Sequence, residues 1–291
     1  MIQEINNKLI VGNSIIDEAF DVKNTSTYSL IIQVGITGVL VTVYDKAKNK
    51  LIALEIFSFQ NAYNFDVVVE LFDLLAKESK LIGNKYKSVV CSVVNDLSTL
   101  VPAPLFDESN KKAYLELNVG LEDVEFIEID KIKSIDAQNV FAVPSSLKTK
   151  LNKVFGNVIF KHFSSGLLES LLVQNKNQTG KKLYAHVQSS RFEVILIEGK
   201  NLLFYNTFNY QAAEDFIYYL LFVCEQMQLN PENIEVVLLG EIERNSTIFS
   251  LCQKYIRNLK FGERAANVDY CYQLQSLSKH YYFSLFNNYL L

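Results

Sequence analysis

The sequence predicts an α/β protein of two lobes, each a mixed sheet flanked by helices, built on one duplicated unit. Three observations predict it. Residues 28–93 read as three strands, a helix and a strand; residues 183–239 read the same way; and a strand–helix–strand segment stands between them. An antiparallel hairpin that feeds a helix and then a parallel strand gives a mixed sheet with helices on its faces. At 291 residues the chain suits two cores, and 49% hydrophobic with 21% charged residues is an ordinary globular balance.

In the first unit, Tyr28 to Val34 and Val39 to Tyr44 are β-branched runs on either side of Gly35-Ile36-Thr37-Gly38, the composition of a hairpin. Gly35 and Gly38 are expected to supply the positive backbone dihedrals of that turn. Leu51 to Phe59 is the third strand. Phe65, Val68, Val69, Phe72 and Leu75 recur at helical spacing, and Tyr86 to Val94 returns as a buried strand.

The middle segment, 139–162, reads as a compact βαβ insert: a strand to Pro144, a helix over 145–155 and a strand from Asn157 to His162. A helix that starts at Ser164-Ser165 and carries Leu167, Leu168, Leu171 and Leu172 leads to the polar run 175–180, the expected linker. The lobes are accordingly placed at 1–162 and 163–291.

In the second unit, Lys182 to Gln188 and Phe192 to Ile197 form the hairpin, Leu202 to Phe208 the third strand and 211–228 the helix. Asn230-Pro231 breaks it, and Ile234 to Leu239 completes the repeat. The helix is apolar all round from Phe216 to Val223, which predicts burial on every side or an interface. The apolar segment 270–291 is expected as a C-terminal helix, part of it crossing back onto the first lobe and the rest forming a protein or homodimer contact.

Composition excludes several functions. A formal charge of −4 without a basic cluster gives no attraction for nucleic acid. No apolar run approaches the roughly 20 residues of a transmembrane helix, and the first residues lack the pattern of a secretory signal, so a cytoplasmic location is expected. Cys91, Cys224, Cys252 and Cys271 have no metal-ligand spacing, and neither do His162, His186 and His280. No metal site follows from these residues.

Several stretches carry a resemblance that covers nearly the whole chain. They include Gln33-x-Gly35, Val101-Pro102-x-Pro104-Leu105-Phe106, Phe141-Ala142-Val143-Pro144, Tyr205-Asn206-Thr207-Phe208, Glu214 to Tyr219, Leu239-Gly240-Glu241-Ile242 and Tyr255-Ile256-Arg257. On these the chain resembles an uncharacterised Bacteroidetes family, a domain of unknown function with an actin-like (ribonuclease H-like) ATPase fold. More distantly it is similar to actin-like pilus-assembly and type II secretion proteins, which use their insert to grip a partner's peptide. The resemblance implies a nucleotide cleft, whose matching positions here are Gly35, Thr37, Gly38, Ser189, Arg191 and Gly240.

Those motifs are degenerate. Where the superfamily's first hairpin carries Asp-x-Gly-Thr, this chain has Gln33, Val34, Gly35 and Ile36; glutamine is neutral and contributes no charge to hold Mg²⁺. The second hairpin aligns at His186, Val187 and Gln188, without acid or glycine, and Leu239-Gly240-Glu241 keeps one glycine of a pair. Gln188-Ser189-Ser190-Arg191 could bind an anion through two hydroxyls and a guanidinium, but a solvated turn is the favoured reading. The expectation is a catalytically silent protein-binding module with no cofactor. The alternatives are a chain that holds nucleotide without turnover, and a small-molecule kinase with displaced acids, Asp96, Asp107 or Asp215, the last also explained by the dipole of its helix.

Overall fold

The computed structural model describes residues 9–60, 62–117, 125–264 and 267–290. They divide into two compact units. The first takes in the described residues of Met1–Leu167, Ala266–Ser276 and Leu285–Leu291; the second takes in those of Leu168–Ala265 and Leu277–Ser284.

In the first unit, β1 (Leu9–Ile16), β2 (Ser29–Gly35), β3 (Gly38–Asp45) and β4 (Lys50–Phe59) are joined antiparallel in the order β1-β4-β3-β2. The chain then enters helix α1 (Phe65–Glu78) and returns as β5 (Ser88–Val93), parallel to β2. Asn64 starts α1 by accepting from the Val67 N–H, and Lys77 closes it against the carbonyl end of the dipole. Val68, Leu71, Phe72 and Leu75 form its buried face, and full burial of each such side chain contributes roughly 1.5–3 kcal/mol. Buried Glu55 of β4 accepts from Ser79 Oγ and from the Lys80 N–H at 3.0 Å, which fixes the end of the helix to the sheet.

The next elements correct the predicted insert. β6 (Ser98–Pro102) leads through the short helix α2 (Lys111–Glu116) to β7 (Glu125–Ile132) and β8 (Ala137–Pro144), and these strands form a separate antiparallel sheet in the order β6-β8-β7. Helix α3 (Ser145–Phe155) then carries the chain to β9 (Val158–His162), which joins the main sheet parallel to β5. The two strands of 139–162 thus lie in different sheets, because β8 finds its partners at Ser98–Pro102 and Glu125–Ile132.

Helix α4 (Phe163–Asn175) follows, and the boundary between units falls inside it. The expected linker 175–180 lies within the second unit. Asn175 there is buried, donating to the Leu171 carbonyl at 2.7 Å and pairing with the Tyr184 hydroxyl.

The second unit repeats the first. β10 (Lys181–Val187), β11 (Arg191–Glu198), β12 (Asn201–Asn209), helix α5 (Ala213–Gln226) and β13 (Glu235–Gly240) give the sheet order β12-β11-β10-β13, which matches β4-β3-β2-β5 in both order and strand sense. Helix α6 (Thr247–Tyr255) and β14 (Asn258–Phe261), parallel to β13, extend it. Helix α5 buries Phe216, Ile217, Leu220, Val223 and Cys224 but leaves Tyr218 62% and Phe222 40% exposed, so it is amphipathic and not buried all round.

The C-terminal segment is not one helix. β15 (Asp269–Tyr270) pairs with β4, and the described residues beyond it form only α7 (Tyr272–Gln275), α8 (Phe283–Asn287) and a 3₁₀ turn over Asn288–Leu290. Tyr282, with a φ of +55°, breaks the run ahead of α8. No helix among the described residues is long and apolar enough to cross a membrane.

Candidate functional site

The predicted site residues fall into two groups, one in each unit. Gly35, Thr37 and Gly38 sit at the β2–β3 hairpin. Gly35 and Gly38 pair directly, and neither has a positive φ. The glycines answer to space instead. A Cβ at Gly38 would lie 2.3 Å from the Phe57 carbonyl oxygen of β4. Thr37 uses its own carbonyl to accept from the Phe59 N–H at 2.9 Å, and Ile36 stands exposed at the tip. The hairpin is tied to neighbouring strands.

Ser189, Arg191 and Gly240 come together in the second unit, at the carboxyl ends of β10 and β13. Gly240 lies beside Val187, with a φ of +84°, and a Cβ there would meet the Val187 carbonyl oxygen at 2.2 Å. Only glycine fits that approach. Its N–H donates to the His280 carbonyl at 2.8 Å, and the Glu241 N–H donates to the Val187 carbonyl at 2.7 Å. Ser189 is an exposed turn residue.

The chemistry of this end is set by Glu193, which no sequence pattern singles out. Its fully buried carboxylate faces His186 across the β10–β11 ladder, with Nδ1 to Oε2 at 2.7 Å. A carboxylate accepts, so Nδ1 carries the proton. The Gln188 amide donates to both carboxylate oxygens at 3.2 and 3.1 Å, and Arg191 Nε lies 3.8 Å from Oε1. Three donors that could have served a bound anion therefore turn toward an anion supplied by the chain. Beside them, burial pushes the Glu241 carboxyl above its ordinary range, with His186 acting the other way. Burial and the Glu241 charge together push Tyr210 up to about 12.

A recess of about 660 Å³ opens beside the same strand ends, lined by residues after β13, after β14 and at 278–281. The carboxyl ends of parallel strands are where open α/β sheets hold ligands. Here Phe261 is stacked between Phe249, with centroids 5.0 Å apart, and His280, 4.2 Å away. The Arg244 guanidinium lies over both phenyl rings at 5.4 and 5.3 Å. His280 donates from Nε2 to the Ile242 carbonyl at 2.7 Å; burial lowers its pKa, the hydrogen bond opposes this and the Arg244 charge adds to it. Lys279 pairs with Glu263 and Tyr281 with Glu243, so the lining combines charged and aromatic side chains. No sequence spacing joined these residues.

A second polar cluster ties the two sheets of the first unit. Buried Asp130 of β7 accepts from the His162 N–H at 2.8 Å and pairs with Lys161 at 3.0 Å. Asn139 of β8 donates to the Ser164 and Ser165 hydroxyls. His162 Nε2 faces the Asn95 carbonyl at 3.2 Å, which can only accept, so Nδ1 takes the Ser164 hydroxyl proton at 2.6 Å. The Asn139 Oδ1 is buried and accepts no hydrogen bond among the described residues.

Each of the three candidate acids has its own local place. Asp107 caps a 3₁₀ turn through Ser109 and Asn110, Asp215 accepts from the Gln211 and Ala212 N–H groups at 3.0 Å, and Asp96 lies in the turn after β5. Among the described residues no group of three His, Cys, Asp or Glu side chains is placed to hold a metal ion.

The model of a family described as "Protein of unknown function (DUF3822)" matches residues 17–259. Among solved structures, the chain is similar to a protein from Bacteroides thetaiotaomicron VPI-5482 described as having an actin-like ATPase fold and unknown function. It is 23% identical, with 84% of this chain and 93% of that one covered and a TM-score of 0.76. It is also similar to a chain of the PilM–PilN type IV pilus biogenesis complex, 13% identical, with 88% and 96% covered and a TM-score of 0.55. Both likenesses establish an actin-like fold. The curated proteins contain no match.

Proposed function

The chain belongs to the DUF3822 family of unknown function and has an actin-like ATPase fold, and from that premise we propose that it is a catalytically silent member which binds another protein in the cytoplasm. The observation that carries the reading is the buried Glu193 carboxylate, which holds His186, Gln188 and Arg191 at the second hairpin. Phosphoryl transfer needs donors and a metal aimed at the phosphate oxygens. Here the donors are turned to an internal carboxylate, and the first hairpin offers the neutral Gln33 where an acid would orient the metal. A protein of similar fold works in a complex, PilM with PilN, and the same use of the scaffold fits this chain.

Calorimetric titration with ATP and Mg²⁺, paired with a phosphate-release assay, tests the proposal. The expected result is no turnover above background. Turnover that is lost in Glu193→Gln would sink it.

The aromatic recess favours a second reading, a ligand held without turnover. Phe261 and His280, stacked on each other in its lining, and the Arg244 guanidinium beside them suit a flat ring system. Saturable heat in the same titration, without phosphate release and abolished by Arg244→Ala, would favour it over the first. The kinase alternative loses support from Asp107 and Asp215, since both carboxylates are spent on capping.

A further inference from the structure

Helix α5 carries a stripe that its own unit leaves exposed. Glu214, Tyr218, Phe222 and Glu225 follow one another at intervals of four, four and three, so they lie on one face, and all four are exposed. The Tyr218 and Phe222 rings stack with centroids 6.4 Å apart and an interplanar angle of 20°. The opposite face is buried in the core of the second unit. The exposed stripe is thus an aromatic pair bracketed by two carboxylates.

The stripe also ends against the usual rule for helix charge. Helices α1, α3 and α6 carry Lys77, Lys153 and Lys254 in their last turns, where a cation meets the negative end of the dipole. Helix α5 has no basic residue there and places Glu225 in that turn. An exposed aromatic pair and a carboxylate at the wrong helix end are each unfavourable in the isolated chain. One kind of partner relieves both: a segment with apolar side chains to cover the rings and lysine or arginine to meet Glu214 and Glu225.

We infer that the exposed face of α5 is a docking surface for a cationic amphipathic peptide segment of a partner protein. The inference rests on the binding-module reading for the existence of a partner and adds the partner's chemistry. An amphipathic helix is the fitting form, since the stripe from Glu214 to Glu225 extends over eleven residue steps, about 16 Å at 1.5 Å per residue, and presents anchors four apart.

The test uses the full chain and two synthetic amphipathic helices of one pattern, leucine with lysine and leucine with glutamate, followed by fluorescence anisotropy. The leucine–lysine peptide is expected to bind, and its affinity is expected to fall at least tenfold in Tyr218→Ser/Phe222→Ser. The charge-reversed Glu214→Lys/Glu225→Lys is expected to lose it and to gain the leucine–glutamate peptide. All four substitutions are at exposed positions, and circular dichroism checks that the variants fold. Absence of binding by the leucine–lysine peptide, or equal binding by wild-type and both variants, overturns the inference. Phosphate release measured on the same preparations reports separately on catalytic silence.

Discussion

His186 and Glu193 stand directly opposite each other on β10 and β11, both buried, with imidazole Nδ1 2.7 Å from the carboxylate. In a duplicated scaffold whose first hairpin has Gln33 on the corresponding strand, this pair places a carboxylate supplied by the chain itself inside the second hairpin.

Replacing that carboxylate should cost stability in a graded way. Hydrogen bonds to a charged group contribute about 1.5–3 kcal/mol, so Glu193→Gln, which keeps the volume, is expected to lose that much. Glu193→Ala is expected to lose about 3–5 kcal/mol, because it leaves buried donors without an acceptor. Urea denaturation at pH 7 measures both, and equal midpoints for wild-type and Glu193→Ala would contradict the role given to the carboxylate.

Two glycines separate space from flexibility. At Gly240 an alanine must hold a positive φ and place its Cβ against the Val187 carbonyl. The backbone conformation alone costs about 1–3 kcal/mol, and the clash adds to it. Gly83 has no positive φ, and a methyl group added there would meet nothing within 4 Å. Gly83→Ala is therefore expected to be neutral or to stabilise by about 0.4–1 kcal/mol through the unfolded chain. Thermal unfolding of the two variants side by side decides the matter.

The recess predicts a pH dependence with a definite sign. His280 is lowered from its ordinary value, chiefly by burial, so the folded protein binds its proton less readily than the unfolded chain does. Stability from this residue is complete above about pH 6.5, the unfolded value, and is lost as the pH falls toward the lower folded value. His280→Gln keeps a donor for the Ile242 carbonyl and removes the titration. Its stability should fall less than that of wild-type between pH 6.5 and 5, and parallel curves would argue against the buried, neutral ring.

Much of the architecture is readable from runs of apolar residues. Leu30 to Val34 and Val39 to Val43 announce strands because both sheet faces are covered, and the same holds for Leu183 to Val187 and Val236 to Leu239. The small sheet is hidden because Glu125 to Ile132 intersperses charge with its apolar residues, and because β8 pairs with strands before it and not with the one after α3.

The site is harder to read for a related reason. Glu193 sits in the run Arg191-Phe192-Glu193-Val194, and nothing local says that its carboxylate points inward to His186 seven residues earlier. The stacking of His280 on Phe261, nineteen residues apart, is likewise set by tertiary pairing. The one local signal is Gly240, and it marks a backbone approach to Val187.

The route of the chain through its two units bears on how the protein is made. The second unit closes with Leu277–Ser284, while the first still awaits Leu285–Leu291 after having begun at the other terminus. On the ribosome β4 emerges long before Asp269–Tyr270, so the edge that β15 will cover stays open to stray pairing while the second unit is synthesised.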